Sequence, residues 1–208
     1  MSKMTLYYRP GACALAPHIL LNAIGAEYDA VLAPRDASYR AINPNGAVPA
    51  LKLSDGYVLT QCNAILQYIC EDAGREDLLG GDDTRLKAET AKWCAFFTGD
   101  FHPAFFPIFV PHRYTADDSD AARDKVKQAG MKLVRNGLDQ IEAHLGGREQ
   151  FVGASTTVAD FYAVPMLRWV TLMIEGGLGE WPATNAFYDR ICATEVVQKT
   201  MVTHGIKA

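Results

Sequence analysis

The residue best placed to do chemistry is Cys13. It follows a short β-branched and aromatic run, Thr5 to Tyr8, and a Pro10-Gly11 turn, and it precedes an apolar stretch that reads as a helix. Free N–H groups and the positive dipole end at a helix start stabilise a thiolate and depress its pKa. The competing reading is a small buried hydrophobe. No other cysteine lies two or three residues away, so any redox cycle at Cys13 reads as monothiol. Cys70, Cys94 and Cys192 fall on apparent helices and read as buried filler. His102, isolated before Pro103, reads from the sequence alone as a surface or kink residue.

A second chemical feature is a backbone edge between Asn43 and Leu66. Asn43-Pro44-Asn45-Gly46 is a cluster of turn formers. Pro49 supplies no N–H, so it is an odd start for a paired strand. A cis Val48-Pro49 bond is one resolution, and it would turn the Val48 N–H and C=O outward. Ala50 to Leu53 and Tyr57 to Thr60 flank Asp55-Gly56, a strong hairpin signal. Gln61-Cys62-Asn63 then opens an apolar helix running to about Ala73. Small polar side chains and free helix N–H groups beside an exposed backbone suit an anionic, peptide-like ligand.

Positioning these residues falls to a simple succession of elements. Thr5 to Tyr8 is a strand, a helix runs from Ala14 to a Gly25 cap, and Tyr28 to Leu32 is a second strand. That order implies a right-handed parallel crossover. Pro34 to Ile42 reads as a solvated connector, with Arg35, Tyr39 and Arg40 as possible ligand contacts. The first part of the chain is therefore β-α-β, connector, β-β-α, a thioredoxin-like layout, with Gly74 to Thr84 as linker. Beyond it strand signals vanish. Trp93, Phe96 and Phe97 share a helix face running towards His102, and Pro103, Pro107 and Pro111 predict kinks. A helix over about 118–145 has Val126, Leu133, Leu138, Ile141 and Leu145 as its stripe. Thr157-Val158-Ala159-Asp160 is a capping-box variant opening a helix to about Ile174, apolar on nearly every side. Trp181-Pro182 starts a last helical pair.

These phrases together resemble the cytosolic glutathione S-transferases. Val48-Pro49 followed by Gln61-Cys62-Asn63-Ala64-Ile65-Leu66 is similar to the family's glutathione site, and Phe151-Val152-Gly153 with Thr157 to Asp160 to its folding element. Tyr8 to His18 resembles the bacterial beta class. The resemblance implies an α/β thioredoxin-like domain over 1–78 and an all-α domain over 84–208. It implies Cys13 and His102 beside the glutathione sulfur, where an imidazole takes the proton or stabilises the charge. Val48 and Pro49, Gln61 and Cys62 would hold glutathione, with Tyr8 as a pocket wall first and a hydroxyl donor second. Asp100 would reach the glutathione amine of a neighbouring subunit in a homodimer. Phe105, Phe109, His112 and Trp169 are the expected pocket for a small hydrophobic electrophile, although aromatic stripes usually belong to the core. Three positions depart from the family. Cys62 replaces a serine and donates more weakly, Ala95 replaces an asparagine, and the 34–42 connector is short, so its family contact is not carried over.

Composition narrows the classes. The 208 residues are 49% hydrophobic and 21% charged, a globular composition with a real core. Net charge is −4, from 20 basic and 24 acidic residues, too mild to draw nucleic acid or an anionic membrane. No apolar run has membrane-span length. The start of the sequence has no signal-peptide pattern. Five scattered cysteines argue against a disulfide framework, and no cluster has zinc spacing, so a metal-free protein of the reducing cytosol is expected. The expected activity is conjugation of the glutathione thiolate to small electrophiles. The alternatives are a thiol-disulfide reductase using Cys13 and a non-catalytic binding protein on the same fold.

Overall fold

The structure is a computed structural model describing residues 3–207. Strand β1 (Met4–Tyr8) turns Met4 and Leu6 into the core by simple alternation. Helix α1 (Leu15–Ala23) crosses over and delivers β2 (Tyr28–Leu32) parallel to β1, with Leu6 opposite Ala30. Gly25, at φ +65°, ends α1, and the Ala26 N–H returns to the Leu21 carbonyl. β3 (Ala50–Lys52) and β4 (Val58–Thr60) add an antiparallel hairpin. Among the described residues the sheet order is β2-β1-β3-β4. α2 (Cys62–Asp72) closes this half.

The connector is not solvated as expected. Ala37–Ala41 form a 3-10 turn capped by the Asp36 side chain, and Tyr39 is buried with Ala33 and Ala50. Burial is tolerated because the Tyr39 hydroxyl donates to the Ala47 carbonyl at 3.0 Å.

The rest of the chain is helical. α3 (Thr84–Phe96) is capped by the Asp83 carboxylate, which accepts the Arg85 and Leu86 N–H groups. Phe97–Phe101 winds as a π-helix and leads into α4 (His102–Ala104) and α5 (Phe106–Phe109). α6 (Asp120–Leu145) buries Gly130, Val134, Gly137, Leu138, Ile141 and Leu145. Leu133, expected in that stripe, is 54% exposed, because the buried face runs through its neighbour Val134. α7 (Val158–Met173) opens with the predicted capping box of Thr157 and Asp160 and is buried along nearly its whole length. α8 (Pro182–Cys192) and α9 (Glu195–Thr203) complete the chain. One apolar core runs from Leu6 and Ile19 under the sheet through Leu66 and Phe101 to Ile141 and Met166. Among the described residues no helix is long and apolar enough to cross a membrane.

Candidate active site

The Cys13 turn is gripped from the helical half. Gly11 adopts φ +69°, which an L side chain resists, and an added Cβ would sit 3.0 Å from the Arg168 guanidinium. Its carbonyl accepts the Trp169 indole N–H at 2.7 Å, and its N–H donates to His204 Nδ1 at 3.3 Å. Since His204 Nδ1 accepts, the neutral ring carries its proton on Nε2, which donates to His18 Nδ1 at 2.9 Å. Both imidazoles are buried.

Cys13 itself is 6% exposed, and its thiol donates to the Val48 carbonyl at 3.3 Å. Burial pushes the thiol up to about 12, against the opposing pull of the Cys13 and Ala14 N–H groups. The expected depression by the helix start is thus present but outweighed.

The facing loop is fixed by polar side chains. Arg9 donates to the Gly46 and Pro34 carbonyls at 3.0 and 2.9 Å. Asn43 joins Tyr39 on the Ala47 carbonyl, at 2.7 Å, and its own Oδ1 accepts the Asn45 N–H. The Val48-Pro49 bond is cis. At the start of α2, Gln61 has φ +73°, alone among the described non-glycine residues in having a positive φ. Such a conformation costs about 1–3 kcal/mol and tends to occur at functional sites. Cys62 is buried, and its thiol reaches the Cys13 carbonyl at 3.6 Å. Burial raises its pKa well above the usual thiol value.

The opposite wall comes from the helical half. Thr98, in the π-helical segment, donates to the Cys94 carbonyl at 2.9 Å. The Tyr162 hydroxyl, 3.2 Å from Thr98 Oγ1, is therefore the donor in that contact. His102 packs between Trp169 and Phe106, with ring centroids 4.8 and 5.0 Å away. Burial pushes its imidazole down to about 4, so it is neutral at neutral pH. Cys13, Val48, Pro49, Gln61, Cys62, Thr98, His102 and Tyr162 line one cavity of about 290 Å³.

Other expected site residues lie elsewhere. The Tyr8 ring packs on His204 at 4.6 Å, and its hydroxyl approaches the Thr203 carbonyl, away from the cavity. Asp100 is exposed in a separate groove with Phe96 and Gln140. Phe105 is fully buried in the core, and Phe106 takes the position at the cavity. Phe109 is part-exposed against Trp169, and His112 is exposed on the 3-10 turn Pro111–Arg113. Trp169 is a strut behind His102 that bonds the Gly11 turn. Sequence reasoning missed Thr98 and Tyr162. Thr98 stands four residues before His102, a spacing that pairs helix residues, and Tyr162 carries a hydroxyl inside an otherwise apolar helix.

Comparison with known proteins bears on the family of the chain. Residues 2–71 match the family model described as glutathione S-transferase, N-terminal domain, and residues 97–195 that described as its C-terminal domain. Glutathione S-transferase GST-4.5 of Xanthomonas campestris pv. campestris is 37% identical, over 98% of this chain and all of that protein. A sphingomonad glutathione S-transferase complexed with glutathione superposes with a TM-score of 0.84 at 32% identity, covering 97% of this chain and 98% of that one. The bacterial beta class glutathione S-transferase of Sphingomonas chungbukensis does so with a TM-score of 0.85 at 32% identity, covering 97% and 99%. The chain belongs to the glutathione S-transferase family and is most like its bacterial beta class.

Proposed function

We propose that this chain conjugates the thiolate of glutathione to small hydrophobic electrophiles. The observation that carries the reading is the convergence of Cys13, the Val48 backbone, the α2 start and His102 on one cavity. The Val48 N–H has no partner among the described residues, so it is free to receive an acceptor from the cysteinyl peptide group of glutathione. The first N–H groups of α2, with Gln61 and Cys62, receive the γ-glutamyl carboxylate, because helix starts favour anions. A neutral His102 hydrogen-bonds the substrate sulfur and eases its ionisation. Phe106 offers aromatic surface for the electrophile at the cavity, with Phe109 part-exposed beyond it and Trp169 packed against Phe109 and His102.

The likeness to a glutathione-complexed relative supports the same ligand here. A homodimer in the reducing cytosol completes the proposal, with exposed Asp100 directed at the partner's glutathione amine. Calorimetric titration of wild type and Cys13→Ala with glutathione, under reducing conditions, tests it. Micromolar to sub-millimolar binding by both, with turnover of chlorodinitrobenzene by the wild type, is expected. Absence of binding to both would leave a binding protein on an abandoned transferase site.

A further inference from the structure

Cys13 has no neighbouring cysteine in the sequence, but the fold supplies one from 49 residues away. The Cys62 thiol donates to the Cys13 carbonyl at 3.6 Å, and both residues border the same cavity. From covalent bond lengths that contact keeps the two sulfurs within about 8 Å of each other. The other cysteines stand apart from this cavity, and Cys94, the next thiol along, borders a separate cleft with Asn63, Gln67 and Lys87. We propose that Cys13 and Cys62 form a redox pair that reduces small disulfides, with Cys62 as the resolving thiol.

The steps balance with a low-molecular-weight disulfide as oxidant, and glutathione disulfide is the one the cavity suits. The Cys13 thiolate attacks one sulfur of that disulfide. A mixed disulfide forms on Cys13, and one glutathione thiolate leaves and takes up a proton. Cys62, its proton lost to solvent, then attacks Cys13 Sγ. The Cys13–Cys62 bond forms, and the second glutathione leaves. In sum two protein thiols are oxidised, and one glutathione disulfide becomes two glutathiones. Two molecules of glutathione run the steps backwards and restore the dithiol, so net turnover comes only when another small disulfide takes the oxidant's place and glutathione disulfide is the product. Closing the bond takes each sulfur off its carbonyl partner and draws the start of α2 towards the Cys13 turn. Burial of both thiols makes the exchange slow at neutral pH, with a rate that climbs about tenfold per pH unit between 7 and 9.

The test is to treat the reduced full-length protein without oxygen, at pH 8, with glutathione disulfide or with hydroxyethyl disulfide, which has no γ-glutamyl group. The reaction is then acid-quenched, alkylated and peptide-mapped. The expected product with either reagent is a Cys13–Cys62 linked peptide with no retained adduct. Cys62→Ala should instead accumulate one mixed disulfide on Cys13. A linked peptide with hydroxyethyl disulfide alone supports the pair and counts against the glutathione site. A stable adduct on wild-type Cys13, a Cys62–Cys94 link, or no reaction with either reagent overturns the pair. Glutathione binding and conjugation, measured on the same preparation, stand or fall separately.

Discussion

At the scale of single residues, Cys13 is held between opposing influences. Two backbone N–H groups favour its thiolate, and burial disfavours it more strongly, leaving the thiol near 12. Cys13 is a protonated donor on the Val48 carbonyl, 3.3 Å away. Its alkylation by iodoacetamide, tracked by peptide mapping, is expected to accelerate about tenfold per pH unit from 7 to beyond 9. A rate that levels off below pH 8 would mean a stabilised thiolate after all. His102 is also kept uncharged, at about 4, because its ring is desolvated against Trp169 and Phe106. A base this weak gives modest help, so His102→Gln should lower kcat by about tenfold to a hundredfold, the low end for acid-base catalysis or below it. The two pH profiles should run parallel between 5.5 and 7.5. A step near 6.5 in the wild type alone would show that His102 titrates where an exposed histidine does.

At the scale of elements, the site depends on how the chain is wound after α3. Five residues in π geometry, Phe97–Phe101, add residues to the turn and so rotate the segment from His102 onward. Thr98 and His102 reach the cavity, Phe105 enters the core, and Phe106 takes the exposed place. α6 makes room for this segment with two glycines. A Cβ on Gly137 would lie 2.5 Å from Phe101 Cδ2, and one on Gly130 would lie 2.9 Å from Pro107 Cβ. Ala is the better helix former by about 1 kcal/mol, but overpacking at such a contact costs about 1–3 kcal/mol. Gly137→Ala should therefore lower the urea midpoint and slow conjugation, since Phe101 directly precedes His102. Gly99→Ala, whose Cβ meets open space, is the control. Equal midpoints for the two variants would remove the packing argument. Features set by neighbours along the chain were legible in the sequence: the Gly25 cap, strand Tyr28–Leu32, the Thr157–Asp160 box, and the turn and helix start around Val48 and Cys62. The π turn breaks the 3.6-residue period, so the sequence does not show that Phe105 turns into the core and Phe106 to the cavity. Burial of Cys13 against Val48 arises from a segment 35 residues away and leaves no local pattern.

At the scale of the whole molecule, the two halves are joined by buried histidines as well as by apolar packing. α9 lies on α1, where Asn22 donates to Thr200 at 2.8 Å and accepts from Tyr28 at 2.7 Å. Just beyond α9, His204 bonds both His18 and the Gly11 turn that leads to Cys13. Burial lowers His18 and His102 to about 4 and His204 to about 3, and it also lowers His144. The unfolded chain binds protons at these sites from about 6.5 downward, and the folded protein resists them to about 4 at His18 and His102 and to about 3 at His204. Their contribution to stability is therefore complete above 6.5 and is lost as pH falls towards 4, by about 1.4 kcal/mol per pH unit for each fully uptaking group. Asp160 acts in the opposite direction between about 4 and 6, because burial raises its carboxyl to about 6. His18, His102 and His204 against the one Asp160 carboxyl leave a net loss, and His144 acts in the same direction as the histidines. Urea midpoints measured from pH 7.5 to 4.5 should stay level to about 6.5 and then drop steeply. His204→Gln, less stable at neutral pH, should drop with a slope smaller by about one proton, because one group that charges only on unfolding is gone. A wild-type midpoint that holds constant to pH 5 would mean that these rings are already charged in the native protein, and the tautomer chain from Gly11 through His204 to His18 would then have to be redrawn.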